Sequence, residues 1–318
     1  MKIPLISSLF KAKSRDAGLT AIGLATHGIY LVQVAFTGTL SRVVRCEYRE
    51  MDTVSLDDLE HFKRDASLGD QTCTTLLSTG EYQILMVEAP NVPDNELKTA
   101  VRWKIKDSVS YRIEDATVDV LKIPGNKNRS DRVQSLYAIV APNEIIQKRM
   151  ALFESAKLPL SVIDIPEAAQ RNIAAYYEQP DRALAMLTFD ENGGLLTFTS
   201  GGELYLSRRI EINTGQLTDA NADMRAQYRD RVELELQRSL DYFDRQFNHL
   251  SLSRLMLSVP EASNLLEFLS SSVGVAVAKL DLSQVMDVSA VPALEDTEFA
   301  SQVLSTLGAA LRQGVSVP

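Results

Sequence analysis

The chain has 318 residues, of which 45% are hydrophobic and 24% charged, and its formal net charge is −9. This composition is typical of a globular protein long enough for two domains, and the excess of acidic residues argues against a general nucleic-acid binder. The two cysteines, Cys46 and Cys73, form no Cys-x-x-Cys pair, so they predict inert thiols in a reducing cytoplasm and neither a metal site nor a disulfide framework.

Residues 1–18 are predicted to form a basic N-terminal tail. Its cations surround short apolar stretches: Lys2, Lys11, Lys13 and Arg15 lie around Ile3, Leu5, Ile6, Leu9 and Phe10. The apolar part is too short, and too interrupted by Pro4 and two serines, for a secretory signal peptide. Two alternatives remain for residues 1–15, a frayed end and a basic amphipathic tether on a membrane surface. No apolar run of the chain approaches the roughly 20 residues that a membrane-spanning helix needs.

The chain from residue 19 to residue 180 is predicted to form a first α/β lobe. The first expected strand region is Leu19–Phe36, with a turn at Thr26-His27-Gly28. Further strands are expected at Ser41–Tyr48, Thr72–Leu77, Tyr82–Val87, Thr117–Ile123, Val133–Val140 and Val162–Ile165. Helices are expected at Asp57–Ala66 and from Asp94, Pro142 and Pro166. We expect Asp94 to cap its helix, because Leu97, Val101 and Ile105 follow at a spacing of four. Trp103 lies off that apolar stripe.

The second half repeats the opening pattern, after a predicted hinge at Glu178–Arg182. A strand at Ala183–Phe189 precedes a hairpin, in which Ser200-Gly201-Gly202 separates Leu195–Thr199 from Glu203–Ile210. A long helix follows, with an apolar face of Val232, Leu236, Leu240, Phe243 and Phe247, and then a strand at Arg254–Val259, a helix at Glu261–Leu269, a strand at Val275–Leu280 and a final helix at Glu295–Arg312. Two halves of this kind predict a duplicated α/β architecture with a deep cleft.

Catalytic motifs are absent from the sequence. No glycine-rich phosphate loop and no nucleophile elbow occurs, and the acidic residues are spread along helix faces. His27, His61 and His249 lie in separate elements, without the spacing of metal ligands. Arg208 and Arg209 are compatible either with an anion site or with surface charge at the end of a strand. From these patterns we expect that the protein is not an enzyme.

Several segments together resemble the PilM-type, actin-like proteins of type IV pilus assembly, and most closely the branch of that family that serves MSHA pilus biogenesis, the MshI proteins. The resemblance covers about residues 19–312 and depends on the order of Pro90–Glu114, Val162–Arg171, Gly201–Ile210, Glu235–Phe243 and Leu307–Arg312. It implies a bilobed, actin-like (ribonuclease-H-like, duplicated) α/β fold. The first lobe would span residues 19–180, with a small α/β insertion at about 89–158, and the second residues 181–318.

The resemblance also implies a nucleotide site whose motifs are eroded in this chain. Actin-like ATPases place an Asp and a glycine-rich turn in each lobe, for Mg²⁺ and for phosphate oxygens. In the first lobe the residues are Gly23, Thr26 and Gly28, with Ala25 where the Asp is expected; in the second they are Asp190, which is shifted, Gly193 and Gly194. The adenosine-side glycine turn falls at Ser258–Glu261, which contains no glycine and adds a carboxylate. We therefore expect no cofactor, with ATP and Mg²⁺ as the doubtful candidates.

The function implied by the resemblance is that of a cytoplasmic, actin-like scaffold, peripheral at the inner membrane, in the pilus assembly platform. It would bind the cytosolic N-terminal tail of a membrane-anchored platform protein beside the inserted subdomain. The candidate contacts are Thr99, Arg102, Trp103, Lys106, Tyr111 and Arg112, because an aromatic residue beside cations suits an extended peptide. Two alternatives remain: Trp103 as a residue that only packs in the core, and the protein as an ATP-binding conformational switch of the same machine.

Overall fold

The computed structural model describes residues 19–37, 40–52, 54–125 and 134–312. The predicted tail at 1–18 lies outside these residues, as does most of the predicted loop at 124–131. The chain divides into two compact units. The first contains the chain up to Phe36, Arg45–Pro166 and the chain from Ala309, and the second contains Thr37–Val44 and Glu167–Gly308. The chain therefore passes between the units four times, and the passage between Pro166 and Glu167 is the one nearest to the predicted boundary at residues 180 and 181.

Two five-stranded sheets share one strand order. The strands are β1 (Leu19–Ala25), β2 (Gly28–Thr37), β3 (Leu40–Glu50), β4 (Cys73–Leu76), β5 (Gln83–Glu88), β6 (Ala116–Lys122), β7 (Ser135–Pro142), β8 (Leu160–Asp164), β9 (Arg182–Asp190), β10 (Gly193–Ser200), β11 (Glu203–Ile210), β12 (Ser251–Ser258) and β13 (Val277–Lys279). One sheet has the order β3-β2-β1-β4-β8 and the other β11-β10-β9-β12-β13. In both, a parallel pair follows the opening hairpin: β1 pairs with β4, and β9 with β12. This repetition is the duplication predicted from the sequence.

Eight α-helices accompany these sheets within the described residues. They are α1 (Leu56–Asp65), α2 (Asp94–Lys104), α3 (Asn143–Ser155), α4 (Pro166–Ala174), α5 (Thr214–Leu217), α6 (Ala222–Gln246), α7 (Leu265–Ser272) and α8 (Thr297–Ala310). The short helix α5 was not predicted, although Asn213 and Gln216 form a capping box there. The predicted helix at Glu261–Leu269 begins later, because Asn264 adopts a left-handed conformation (φ 52°) between a single 3₁₀ turn and α7.

A third sheet, of order β5-β7-β6, forms the inserted subdomain together with α2. Leu97, Val101 and Ile105 are buried against the apolar side chains of this sheet, so the predicted helix face is confirmed. The predicted cap is wrong. Pro93 occupies the N-cap position of α2, and the Asp94 carboxylate instead accepts a hydrogen bond from Lys122 Nζ at 2.6 Å.

The predicted hairpin and long helix of the second unit are confirmed. Gly201 (φ 60°) and Gly202 (φ 74°) form the two-residue turn between β10 and β11, where positive φ values avoid strain only for glycine. Phe243 of α6 stacks on Phe198 of β10, with ring centroids 4.6 Å apart. The helix therefore packs on the hairpin through the face that its apolar spacing predicts.

Replacement of Gly308 by alanine should destabilise the second unit. A Cβ atom at Gly308 of α8 would overlap the carbonyl oxygen of Ala169 in α4 and would lie 2.6 Å from its carbonyl carbon. Because backbone atoms cannot move aside cheaply, we expect a loss of about 1–3 kcal/mol in the free energy of unfolding, measured by chemical denaturation. Gly215→Ala in α5 is the matched control, since a Cβ there meets only Asn213 Oδ1 at 3.4 Å. Equal stability of the two variants would contradict this packing.

Candidate functional site

The candidate nucleotide-binding residues of the first unit lie on the β1–β2 hairpin. Gly23 is buried in β1 and pairs with Tyr30, while Thr26 is exposed in the turn. A Cβ atom at Gly28 would overlap the carbonyl oxygen of Arg49 and would lie 2.5 Å from Tyr48 Cε2. Close packing against β3 therefore requires glycine at position 28, whether or not a phosphate binds.

The second-unit candidates lie at the β9–β10 turn. Asp190 ends β9, and its Oδ1 accepts a hydrogen bond from the Asn192 backbone N–H at 2.7 Å. A Cβ atom at Gly193 would lie 2.8 Å from the carbonyl oxygen of Ile210, and one at Gly194 would lie 2.6 Å from Phe189 Cε1. Both glycines thus allow β10 to pack closely against its neighbours, a role that is independent of any nucleotide.

An internal ion pair lies near this turn. Glu167 is fully buried at the start of α4, and its Oε1 accepts hydrogen bonds from Arg209 Nη2 at 3.0 Å and Arg209 Nε at 3.2 Å. Burial raises the pKa of Asp190, while the Asn192 backbone N–H and the positive charge of Arg209 act in the opposite direction. The positive charge of the Arg209 guanidinium therefore offsets the negative charges of Glu167 and Asp190. Arg208 lies over the Tyr242 ring, 5.0 Å from its centroid.

The turn at Ser258–Glu261 borders a cavity of about 280 Å³. Glu261 lies on the lining of this cavity, and its Oε1 accepts a hydrogen bond from Lys279 Nζ at 2.6 Å. Glu267, in the first turn of α7, is a second carboxylate on the lining. The lining of this cavity therefore carries two carboxylates, Glu261 and Glu267, and one ammonium group, that of Lys279.

The predicted partner-binding residues lie in and just after α2. Trp103 has 58% of its surface exposed, which excludes the alternative that it is only a core residue. Thr99 and Lys106 are also exposed. Arg102 is not available in the same way, because its guanidinium donates to the carbonyl oxygens of Ile113 (3.3 Å) and Ala116 (3.0 Å). Arg102 therefore joins α2 to Ile113 and to Ala116, the first residue of β6.

The last two predicted contacts differ from each other. Arg112 is exposed, with Nε 3.7 Å from Glu114 Oε2 and 3.9 Å from Asp115 Oδ2. Tyr111 packs against the core of the inserted subdomain, and burial raises the pKa of its phenol. Its hydroxyl oxygen is buried and has no hydrogen-bond partner among the described residues. A buried polar group without a partner is costly, so this hydroxyl is an unfavourable feature of the free chain.

Among the residues that the structure describes, no three His, Cys, Asp or Glu side chains are grouped so that they could hold a metal ion. Within those residues no helix is both long enough and apolar enough to cross a bilayer. Burial raises the pKa of Cys73 to about 11 and that of Cys46 to about 12, so both thiols are poorly reactive at neutral pH.

Comparison with known proteins finds solved structures with a similar fold but no match by sequence. No protein-family model and no curated protein matches the chain. A solved structure described as a PilM-PilN type IV pilus biogenesis complex matches with a TM-score of 0.76 and 18% identity, over 94% of this chain and 99% of the other. The chain has a bilobed, actin-like fold. The predicted fold class is therefore confirmed.

Two further solved structures match at lower similarity. One is the cytoplasmic domain of EpsL, an inner-membrane component of the type II secretion system of Vibrio cholerae (TM-score 0.47, 10% identity, 77% of this chain and 83% of the other). The other is a Bacteroides thetaiotaomicron protein of unknown function with an actin-like ATPase fold (TM-score 0.49, 8% identity, 90% and 96%). At these TM-scores neither adds to the assignment of the fold.

Proposed function

We propose that this actin-like chain is a scaffold subunit of a type IV pilus assembly platform at the cytoplasmic face of the inner membrane. The observation that carries the proposal is the match over 94% of this chain and 99% of a chain in the PilM-PilN complex. A match of that extent includes the inserted subdomain, where the predicted partner-binding residues lie. The resemblance of the five sequence segments supports the finer assignment to an MSHA-type pilus, as an MshI-like protein.

The partner in this proposal is the cytosolic N-terminal tail of a membrane-anchored platform protein, and the contact surface is centred on Trp103. An exposed tryptophan on a helix is a suitable anchor, because it contributes a large apolar area and loses little conformational freedom. Lys106 and Arg112 would pair with acidic flanks of the tail, whereas the buried hydroxyl of Tyr111 is left out of the surface. Arg102 is left out of this surface, since its donors are used inside the subdomain.

Attachment to the membrane is assigned to the tail at residues 1–15, which carries four cations and no acidic residue. Lys and Arg side chains near an anionic leaflet contribute about 1 kcal/mol each. The tail and the bound partner together would keep a protein of net charge −9 at the inner membrane. Nucleic acid is not a partner in this proposal.

A fluorescence titration tests the proposed partner. Trp103 is the only tryptophan of the chain, so its emission reports on this surface alone. Synthetic tail peptides of membrane-anchored pilus proteins from the same genome are added to the purified chain, with scrambled peptides as the control. We expect a saturable spectral change with the native sequence only. The proposal fails if calorimetry also detects no binding of any native tail.

Nucleotide is not required in this proposal, and the protein would be a pseudo-ATPase. We expect that Mg-ATP at millimolar concentration leaves the midpoint of thermal unfolding unchanged. Three features support this: Ala25 replaces the first-lobe Asp, packing accounts for the candidate glycines, and the adenosine-side turn carries Glu261. The alternative is an ATP-binding switch. Ligand at 100 times its Kd would add about 2.7 kcal/mol, so a saturable rise of several degrees would support the switch.

A further inference from the structure

The cavity beside α7 is lined by both apolar and polar side chains, and it lies wholly within the second unit. Leu257 and Val259 line it from the end of β12 and the residue that follows, Pro260 from the turn, and Leu265 and Leu266 from the first turn of α7. Its volume of about 280 Å³ is close to the lower limit of roughly 300 Å³ for small-molecule sites. A cavity of this size fits one long side chain better than a whole nucleotide.

The charges on the lining favour a cation. Lys279 Nζ is bound to Glu261 Oε1 at 2.6 Å, so this pair is neutral as a whole. Glu267 has no ion-pair partner among the described residues, and it contributes a full negative charge. The N-terminus of α7 contributes only about half a positive charge in the opposite direction. The sum is negative, so the cavity disfavours a phosphate group.

Polar groups at the corner of the cavity match the same chemistry. Asn264 turns the chain into α7 with a left-handed backbone, and its side chain makes no capping hydrogen bond. Its amide oxygen can accept from an N–H group, as the Glu267 carboxylate can. A planar guanidinium offers five donors to such acceptors, and its aliphatic stem can lie along the leucine side chains.

We propose that this cavity binds the arginine side chain of a partner peptide in which aliphatic residues flank the arginine. The site is separate from the Trp103 surface, and it requires neither the tail partner nor a nucleotide. It therefore extends the proposed function and does not depend on it. The electrostatic complementarity between the guanidinium and Glu267 sets the preference for a cation over a neutral or acidic side chain.

Three short peptides test the proposal on the full chain. The probe is acetyl-Leu-Arg-Leu-amide, compared with the citrulline peptide, which has nearly the same shape without the charge, and with the glutamate peptide. Saturation-transfer NMR titrations measure the three affinities, and AMP is titrated separately. We expect the arginine peptide to bind about two- to fivefold more tightly than the citrulline peptide, which is the range for a solvent-exposed charge pair. The glutamate peptide and AMP should bind more weakly still.

Variants of the lining assign the binding to the cavity. Glu267→Lys should abolish the preference for arginine and favour the glutamate peptide. Glu298→Lys makes the same charge change in the first turn of α8, outside the lining, and should leave all affinities unchanged. Leu266→Trp should fill the cavity and prevent binding. If that variant does not fold, the result for Glu267→Lys alone decides whether the peptide binds in the cavity. Trp103→Ala should leave the arginine peptide bound, which separates this site from the proposed tail site.

Three results would overturn the proposal. The first is AMP or the glutamate peptide binding to the natural chain as tightly as the arginine peptide. The second is an arginine preference that survives Glu267→Lys. The third is the absence of binding by the arginine peptide at tens of millimolar.

Discussion

Replacement of Arg312 by glutamine should lower the free energy of unfolding of the first unit by about 3–5 kcal/mol. Arg312 Nη1 lies 2.7 Å from Asp164 Oδ2, and the Asp164 side chain has no exposed surface. Without the guanidinium, the buried Asp164 carboxylate loses its ion-pair partner, and removing one member of a buried ion pair is strongly destabilising. Because Asp164 ends β8 and Arg312 follows α8, the pair fixes the residues just after α8 to the first sheet. Chemical denaturation followed by circular dichroism measures the loss.

The matched control is Arg238→Gln on α6. Arg238 Nη1 is 2.8 Å from Glu235 Oε1, but 64% of its side chain is exposed, so the pair is solvated. We expect the control to change stability by no more than about 0.5 kcal/mol. A loss for Arg312→Gln as small as that of the control would show that water reaches Asp164 and that the pair is not a fixed link.

Local patterns of the sequence predicted most of the fold. The Gly201-Gly202 turn, the apolar stripe of α2 and the stripe of α6 depend on residues within one or two elements, and all three were predicted correctly. The errors lie at the N-termini of two helices. Asp94 is a good capping residue by type, but Lys122, from a strand 28 positions away, competes for its carboxylate. The left-handed turn at Asn264, which delays α7, has no strong signal in the sequence.

The candidate site was less predictable, because its character depends on contacts between distant positions. The sequence allows two roles for Arg209, in an anion site or as surface charge. Only the fold shows that Arg209 pairs with the buried Glu167, 42 positions earlier. Arg102 was chosen as a partner contact by its type, yet two backbone carbonyls use its guanidinium. The sequence placed a carboxylate at Ser258–Glu261, but the cavity also requires Glu267 and Lys279.

Replacement of Trp103 by alanine should weaken binding of the membrane-anchored partner's tail at least thirtyfold, which corresponds to about 2 kcal/mol. The reason is that the indole is the largest exposed apolar group of the inserted subdomain, and a partner that covers it gains that area. The stability of the free chain should change by less than about 0.5 kcal/mol, because the side chain is 58% exposed and lies on the face of α2 opposite the core. Anisotropy of a labelled tail peptide measures the affinity, since the variant has no tryptophan.

Leu234→Ala is the matched control for this variant. Leu234 is an exposed apolar residue of α6, with 45% of its surface accessible, and it lies in the second unit. Its removal should change neither affinity nor stability. If Trp103→Ala and Leu234→Ala bind the tail equally well, the partner does not contact α2 through Trp103. If Trp103→Ala instead unfolds the subdomain, the indole has a packing role that its exposure does not show. Only a loss of affinity in a folded variant supports a hot spot on this helix, because truncation then removes contact area alone.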